Sequence, residues 1–390
     1  MSTNKFFESK KRWSNYKDML LKNYLPLYFA KILKTRKDTL FIDGFAGRGT
    51  FDDGTMGSPL IVRDILEEAM QRTKYSNIII PIFIEYKKKY AKALKESLNN
   101  NKCYVINSNY KDEALKIIKR NSHRNIFLYV DPFGIKYIDY AIFEELSKNK
   151  NSVELLLNLN SFGFIREGIR LLGYEVDNEL EVYKDEEDDG SFVNNIENMN
   201  KIANGDYWQK IIKIYKEGLI DSKQAESMFV EQYMETLGKD FQYIFQIPIK
   251  TGDHKMPKYR MVFATNHIQG ALHMSDTMIK CNSEMSLENH NFQGSLFDYD
   301  FNKFSCKNDI IEMIKELKEN GTNRIDCKDL CLLLYNKNGA KYMTKDIRKA
   351  IQQLEVEKII KVDRNIKTTA SGKLSKALDF VNETIYLEIL

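Results

Sequence analysis

Five cysteines, five histidines and six prolines are few for 390 residues, and each scarcity excludes something. Cys103, Cys281, Cys306, Cys327 and Cys331 are odd in number and scattered, so they lay out neither a disulfide framework nor a metal site. Cys327 and Cys331 stand four apart, on one face of a helix, where two buried thiols are expected. His123, His254, His267, His273 and His290 likewise show no ligand spacing, and no metal is expected. No stretch reaches the roughly 18 uncharged apolar residues of a membrane helix. Residues 1–13 lack the apolar core of a signal peptide. A reducing cytoplasm is the expected location.

Net charge is missing from most of the chain. Residues 301–390 hold 17 Lys/Arg against 13 Asp/Glu, which accounts for the whole +4 and leaves the first 300 residues neutral. Within them, 341–376 carries 10 positive and 4 negative side chains, and residues 1–37 carry 10 against 2. Two separated basic segments favour an anionic partner such as a nucleic acid. The length exceeds what one hydrophobic core usually fills, so two domains are expected.

The apolar patterning alternates between short runs and helical periods. Residues 14–34 repeat apolar positions at helical spacing across a Pro that can kink the run. Five apolar runs follow, TLFIDGF (39–45), NIIIPIFIE (77–85), CYVINSN (103–109), NIFLYVDPFG (125–134) and VELLLNLNSF (153–162), with helical stretches between them. Strands apolar on both faces and separated by helices predict a parallel sheet covered on both sides. Residues 164–222 loosen into a helical insertion. A helix near 223–237 and an antiparallel hairpin from 241–250 and 259–267 then close the sheet. The expected fold is α/β, a Rossmann-like methyltransferase sheet over 1–281. A polar linker over 282–305 leads to a small domain over 306–390.

The chemistry is expected along the carboxyl edge of the sheet, where open α/β folds bind ligands. Asp43, Gly44, Phe45, Ala46, Gly47 and Gly49 follow the first strand, and the glycines allow backbone to approach a cofactor. About nine residues, Thr50–Ser58, separate this turn from the next helix, which does not suit the phosphate geometry of dinucleotide folds. S-adenosylmethionine (SAM), with its cationic sulfonium, suits the acidic Asp43. Glu85 at the end of the second strand can hold ribose hydroxyls, and Asn107 and Asn109 after the third can read an adenine edge.

The fourth strand ends in Asp131, Pro132, Phe133 and Gly134. Amino-methyltransferases acting on adenine or cytosine carry Asp/Asn-Pro-Pro-aromatic here, where the side-chain oxygen accepts from the exocyclic amine and the ring stacks the flipped base. The second Pro is missing in this chain, so Asp131 is expected as acceptor or base, with Phe133 or Tyr137 as the stacking surface. Asn158, Asn160 and Ser161 can line the same pocket.

The last 85 residues read as three helices and a β-hairpin, the order of a winged helix. In the third helix, Thr344 is a suitable cap and Ile347, Ala350, Ile351 and Leu354 face inward. Lys345, Arg348, Lys349 and Gln352 are then expected outward, on phosphates and bases. In the linker, Gln293-Gly294-Ser295-Leu296-Phe297 has the pattern of a sliding-clamp peptide, or of a segment that packs on the protein itself.

FIDGFAGRGTFDDGTMGSPLIV, the FIE of the second strand, VDPFG and VFATNH together resemble the three-Cys-motif partner protein family, over roughly residues 10–280. The resemblance implies a Rossmann-like fold and a SAM site around Asp43, Gly47, Glu85 and Asp131. It also implies a partner, a small three-cysteine protein related to radical-SAM proteins, and it supplies no substrate. Two functions follow. One is a SAM-dependent nucleic-acid methyltransferase. The other is a non-catalytic, nucleotide-binding accessory protein of a mobile-element or phage-defence system.

Overall fold

The computed structural model describes residues 12–72, 74, 78–99, 102–181, 192–250, 257–290, 301–338, 341–364, 367–368, 374–375 and 378–390. The chain divides into two compact units, one up to His267 and one from Ile268 to Leu390.

The first unit opens with helix α1 (Arg12–Ile32), which runs through Pro26 without a break. Its buried face repeats every three or four residues: Tyr16, Leu20, Leu21, Tyr24, Leu25, Tyr28, Phe29 and Ile32. Strand β1 (Thr39–Asp43), helix α2 (Ser58–Arg72), β2 (Ile79–Ile84), α3 (Lys88–Leu98), β3 (Tyr104–Ile106) and α4 (Tyr110–Arg120) come next. Then follow β4 (Asn125–Val130), α5 (Tyr140–Ser147), β5 (Val153–Leu159), and the helices α6 (Ser161–Leu171), α7 (Asn178–Glu181), α8 (Ile196–Ala203), α9 (Tyr207–Lys216) and α10 (Ser222–Leu237). Strands β6 (Tyr243–Lys250) and β7 (Pro257–Thr265) close the unit.

The seven strands form one sheet in the order β3-β2-β1-β4-β5-β7-β6. The first five pair in parallel, and β7 pairs antiparallel with both β5 and β6. Every residue of β1, β4 and β5 is buried, as central parallel strands between helical layers must be. This is the expected Rossmann-like sheet, five parallel strands closed by an antiparallel hairpin. The reversal of strand order falls between β1 and β4, so the ends of these two strands open the crevice where a ligand is expected. Helices α6 to α9 fill the stretch between β5 and α10, and α6 starts at Ser161, directly after β5.

The second unit starts with α11 (Ile268–His290), then α12 (Phe301–Glu319), β8 (Arg324–Asp326), α13 (Cys327–Asn338) and α14 (Thr344–Val356). Strands β9 (Ile360–Asp363), β10 (Lys367–Thr368), β11 (Leu374–Ser375) and β12 (Tyr386–Ile389) end the chain. The sheet order is β8-β12-β9, with β10 and β11 paired separately. The helices α11 and α12 reach into 282–305 from both sides, so the expected linker is helical at its ends. Leu272 of α11 belongs to the core of this unit, which is why the division falls at Ile268 and not after 281. Gln293–Phe297 lies outside the described residues. Cys306, Cys327 and Cys331 are buried free thiols in the same core.

Candidate functional site

The turn after β1 is closed on itself. Asp43 is fully buried: its Oδ1 accepts from the Phe45 N–H at 3.0 Å and its Oδ2 from the Ser58 hydroxyl at 2.7 Å. Burial pushes its carboxyl up to about 7, against the pull of those two donors. Gly44 lies so close to Tyr110 that a Cβ would stand 2.6 Å from the ring. Gly47 (φ 66°) and Gly49 (φ 89°) take left-handed backbone, which other residues adopt only with strain. The Gly57 N–H donates to the Gly49 carbonyl at 2.7 Å, and Thr50 bridges Met56, so residues 50–56 fold back as a small hairpin before α2. Arg48 braces it from Nε to the Thr50 carbonyl and from Nη2 to Asp52.

Glu85 follows β2 and is 5% exposed. Its Oε2 accepts from the Gly47 N–H at 2.9 Å and its Oε1 from the Lys87 N–H at 2.6 Å. Each oxygen keeps a second lone pair, enough for two ribose hydroxyls. Burial raises its pKa against those two backbone bonds. Asn107 donates from Nδ2 to the carbonyls of Glu85 and Tyr86, tying β3 to the end of β2. Asn109 caps α4, its side chain accepting from the Lys111 N–H at 2.9 Å.

Asp131 follows β4 and is the meeting point of four hydrogen bonds. Lys17 of α1 donates to Oδ1 at 2.9 Å and to Oδ2 at 2.7 Å, Asn158 of β5 to Oδ1 at 2.7 Å, and the Tyr129 hydroxyl to Oδ2 at 3.2 Å. Phe133 lines the same pocket as Asp131, while Pro132 is half-buried beside it. Tyr137 stands edge-on to Phe45 at 6.1 Å. Asn160 and Ser161 turn elsewhere: Asn160 caps α6 by accepting from the Gly163 N–H, and Ser161 donates to Glu226.

One pocket joins the turn after β1 to the end of β4, while Asp43, Glu85, Asn107, Asn109 and Asn158 stay outside its lining. It is lined by Phe45, Ala46, Gly47 and Gly49 of the turn, by Tyr129, Asp131 and Phe133, and by Ser14, Lys17 and Asp18 of α1. The α1 residues and Tyr129 were not singled out from sequence. A signal was there for Lys17: it falls on the stripe Lys17, Leu21, Tyr24, Tyr28, a charged side chain on an otherwise buried helix face.

In the second unit, α14 buries Ile347, Ala350, Ile351 and Leu354 as its pattern predicts, and Thr344 with them. Lys345, Lys349 and Gln352 are exposed. Arg348 is half-buried and not fully outward: its guanidinium lies over the Phe380 ring at 5.5 Å and its Nε is buried, as a long stem that follows apolar surface allows. Nor does Thr344 cap α14. Met343 takes the cap position, and Asp276 of α11 accepts from both the Thr344 N–H, at 2.6 Å, and its hydroxyl.

Among the described residues no group of His, Cys, Asp or Glu could hold a metal ion, and no helix is long and apolar enough to cross a membrane. No family model matches the chain, and a search of curated proteins finds no match. Among solved structures, a spermidine synthase from Thermotoga maritima is 9% identical, covers 72% of this chain and 71% of its own, and has a TM-score of 0.32. The plantazolicin methyltransferase BamL, in complex with a triazolic desmethylPZN analog and S-adenosylhomocysteine (SAH), is 14% identical over 68% of this chain and 91% of its own, with a TM-score of 0.31. PKMT2 from Rickettsia typhi, in complex with SAH, is 10% identical over 62% and 53%, with a TM-score of 0.28. These likenesses are remote, and the fold rests on the strand order.

Proposed function

We propose that the first unit is a SAM-dependent methyltransferase acting on an amino group of a base in DNA or RNA, and that the second is a winged helix holding the nucleic acid. One observation carries this reading: a single pocket unites the glycine turn after β1 with Asp131 and Phe133 after β4. The donor set fits a cationic cofactor. Asp131 supplies a carboxylate in the pocket, Asp43 holds the turn through the Phe45 N–H, and Glu85 has lone pairs left for ribose. SAM supplies a methyl group on a sulfonium when bound.

The residues of the chain do the rest. The left-handed backbone at Gly47 and Gly49 lets the turn lie close to the ligand, with Glu85 on the ribose and Asn107 beside the adenine. Asp131 accepts from the target amine and turns the nitrogen lone pair toward the methyl group, and Phe133 stacks on the base. In the second unit β10 and β11 form the wing, and Lys345, Lys349 and Gln352 meet phosphates and bases. The partner would be the small three-cysteine protein that the resemblance to three-Cys-motif partner proteins implies, and the cell compartment the cytoplasm.

The closure of Asp131 by Lys17 supports a second reading, a protein that binds SAM and nucleic acid without transferring a methyl group. Incubating the full chain with methyl-labelled SAM and pools of DNA or RNA decides between them. Label in the nucleic acid, lost in Asp131→Ala, supports the enzyme. SAH binding without any transfer supports the accessory role.

A further inference from the structure

A carboxylate offers about four in-plane acceptor positions, and all four of Asp131 are used. Lys17 takes one on each oxygen, Asn158 the second on Oδ1 and Tyr129 the second on Oδ2. Two of these three donors are fixed, because Tyr129 and Asn158 sit on the central strands β4 and β5. The third comes from helix α1 on a flexible four-carbon stem. An amine reaching Asp131 must therefore replace Lys17. The same place holds an unmet acceptor: Asn158 is 3% exposed, and its Oδ1 is buried with no hydrogen-bond partner. A fold keeps such an atom at a cost, and one on the side chain that holds the pocket carboxylate Asp131 points to a donor that arrives with the ligand.

We propose that Asp131 and Asn158 form a two-acceptor subsite for an –NH2 group, and that the Lys17 ammonium is a stand-in which the incoming amine displaces. This rests on the amino-methyltransferase reading above. An –NH2 group brings two N–H donors, one for Asp131 and one for Asn158 Oδ1, and its lone pair then points away from both. A keto oxygen brings no donor and cannot replace Lys17, so the subsite separates cytosine and adenine from uracil and hypoxanthine. The displaced ammonium stays near Asp18, one residue along α1 and part of the same pocket.

The test reads Lys17 itself. The full chain, saturated with SAH, is treated with an amine-acetylating ester, and acetylation of Lys17 is followed by peptide mass spectrometry. Lys17 should be protected without nucleoside, and cytidine or adenosine should raise its labelling several-fold while uridine and inosine leave it unchanged. Asn158→Leu should abolish the cytidine effect while keeping SAH affinity. Lys17→Met, which removes the internal competitor, should tighten cytidine binding by roughly tenfold. Labelling that ignores cytidine and adenosine, or rises equally with uridine, overturns the gate and leaves SAH binding standing. A well-folded chain that binds no SAH overturns the cofactor reading, and the gate with it.

Discussion

At the scale of single residues, the buried carboxylates make the sharpest predictions. Glu85→Ala should weaken SAH binding in calorimetry by about 1–3 kcal/mol, the cost of leaving polar groups unpaired. It should also loosen the turn, because the Gly47 N–H loses its acceptor. Asp43 and Glu154 are raised by burial to about 7 and about 8, although hydrogen bonds from Ser58 and from Tyr24 pull the other way. An unfolded carboxyl titrates near 4, so between about pH 4 and 8 the folded state holds protons that the unfolded state has lost. Stability should therefore fall as pH climbs through this window, by at most about 1.4 kcal/mol per pH unit for each group. Asp43→Asn keeps an acceptor for Phe45 and puts an amide toward Ser58, and should flatten that slope in urea titrations at about pH 5, 6, 7 and 8. An unchanged slope would mean that Asp43 is ionised in the fold. Residue types at strand ends were legible in the sequence; their bonds were not. Asn109 and Asn160 stand where ligand residues often stand, yet they cap helices, and only the backbone path separates the two uses.

At the scale of elements, the sequence was most legible where burial is uniform. The central strands β1, β4 and β5 are mostly apolar and wholly buried, and their runs contain the observed strands, overshooting them at the carboxyl ends. Short β8, β10 and β11, of two or three residues each, leave no such pattern and were not read. Helix α14 shows what periodicity can and cannot do. Its inward face was predicted residue by residue, whereas Arg348 lies over Phe380 and the cap comes from Asp276, 68 positions earlier in the chain. Asp276→Ala should destabilise the second unit by about 1 kcal/mol, as loss of a helix cap does, in denaturant titrations. Lys345→Ala with Lys349→Ala should weaken binding to DNA or RNA across sequences and flatten its salt dependence by about one unit per lost phosphate contact. Arg348→Ala should act on the stability of the unit, through lost packing, more than on that salt slope. If the double variant binds as wild type does, with the same slope, α14 is not the nucleic-acid face.

At the scale of the whole molecule, each unit has an apolar core of its own, and two clusters among the described residues show it. One groups β1, β4 and β5 with the helices of the insertion around Trp208 and Phe229. The other gathers Cys306, Cys327, Cys331, Ile351, Phe380 and Leu387 in the second unit. A core that closes on itself can unfold by itself, so scanning calorimetry of the full chain should resolve two transitions. Ligand addition then assigns them without any mutation. SAH binds only the folded first unit in the proposed scheme, and at 100 times its Kd it adds about 2.7 kcal/mol to that unit alone. One transition should therefore move up with SAH while the other stays. Duplex DNA or structured RNA should reverse the pattern, and Glu85→Ala should remove the first shift while leaving the second. Core substitutions supply an independent check: Phe380→Ala should lower only the transition that ignores SAH, by roughly 3–5 kcal/mol for a buried aromatic. If SAH raises both transitions together, the two units unfold as one, and their division of labour has to be sought in the ligands and not in the cores.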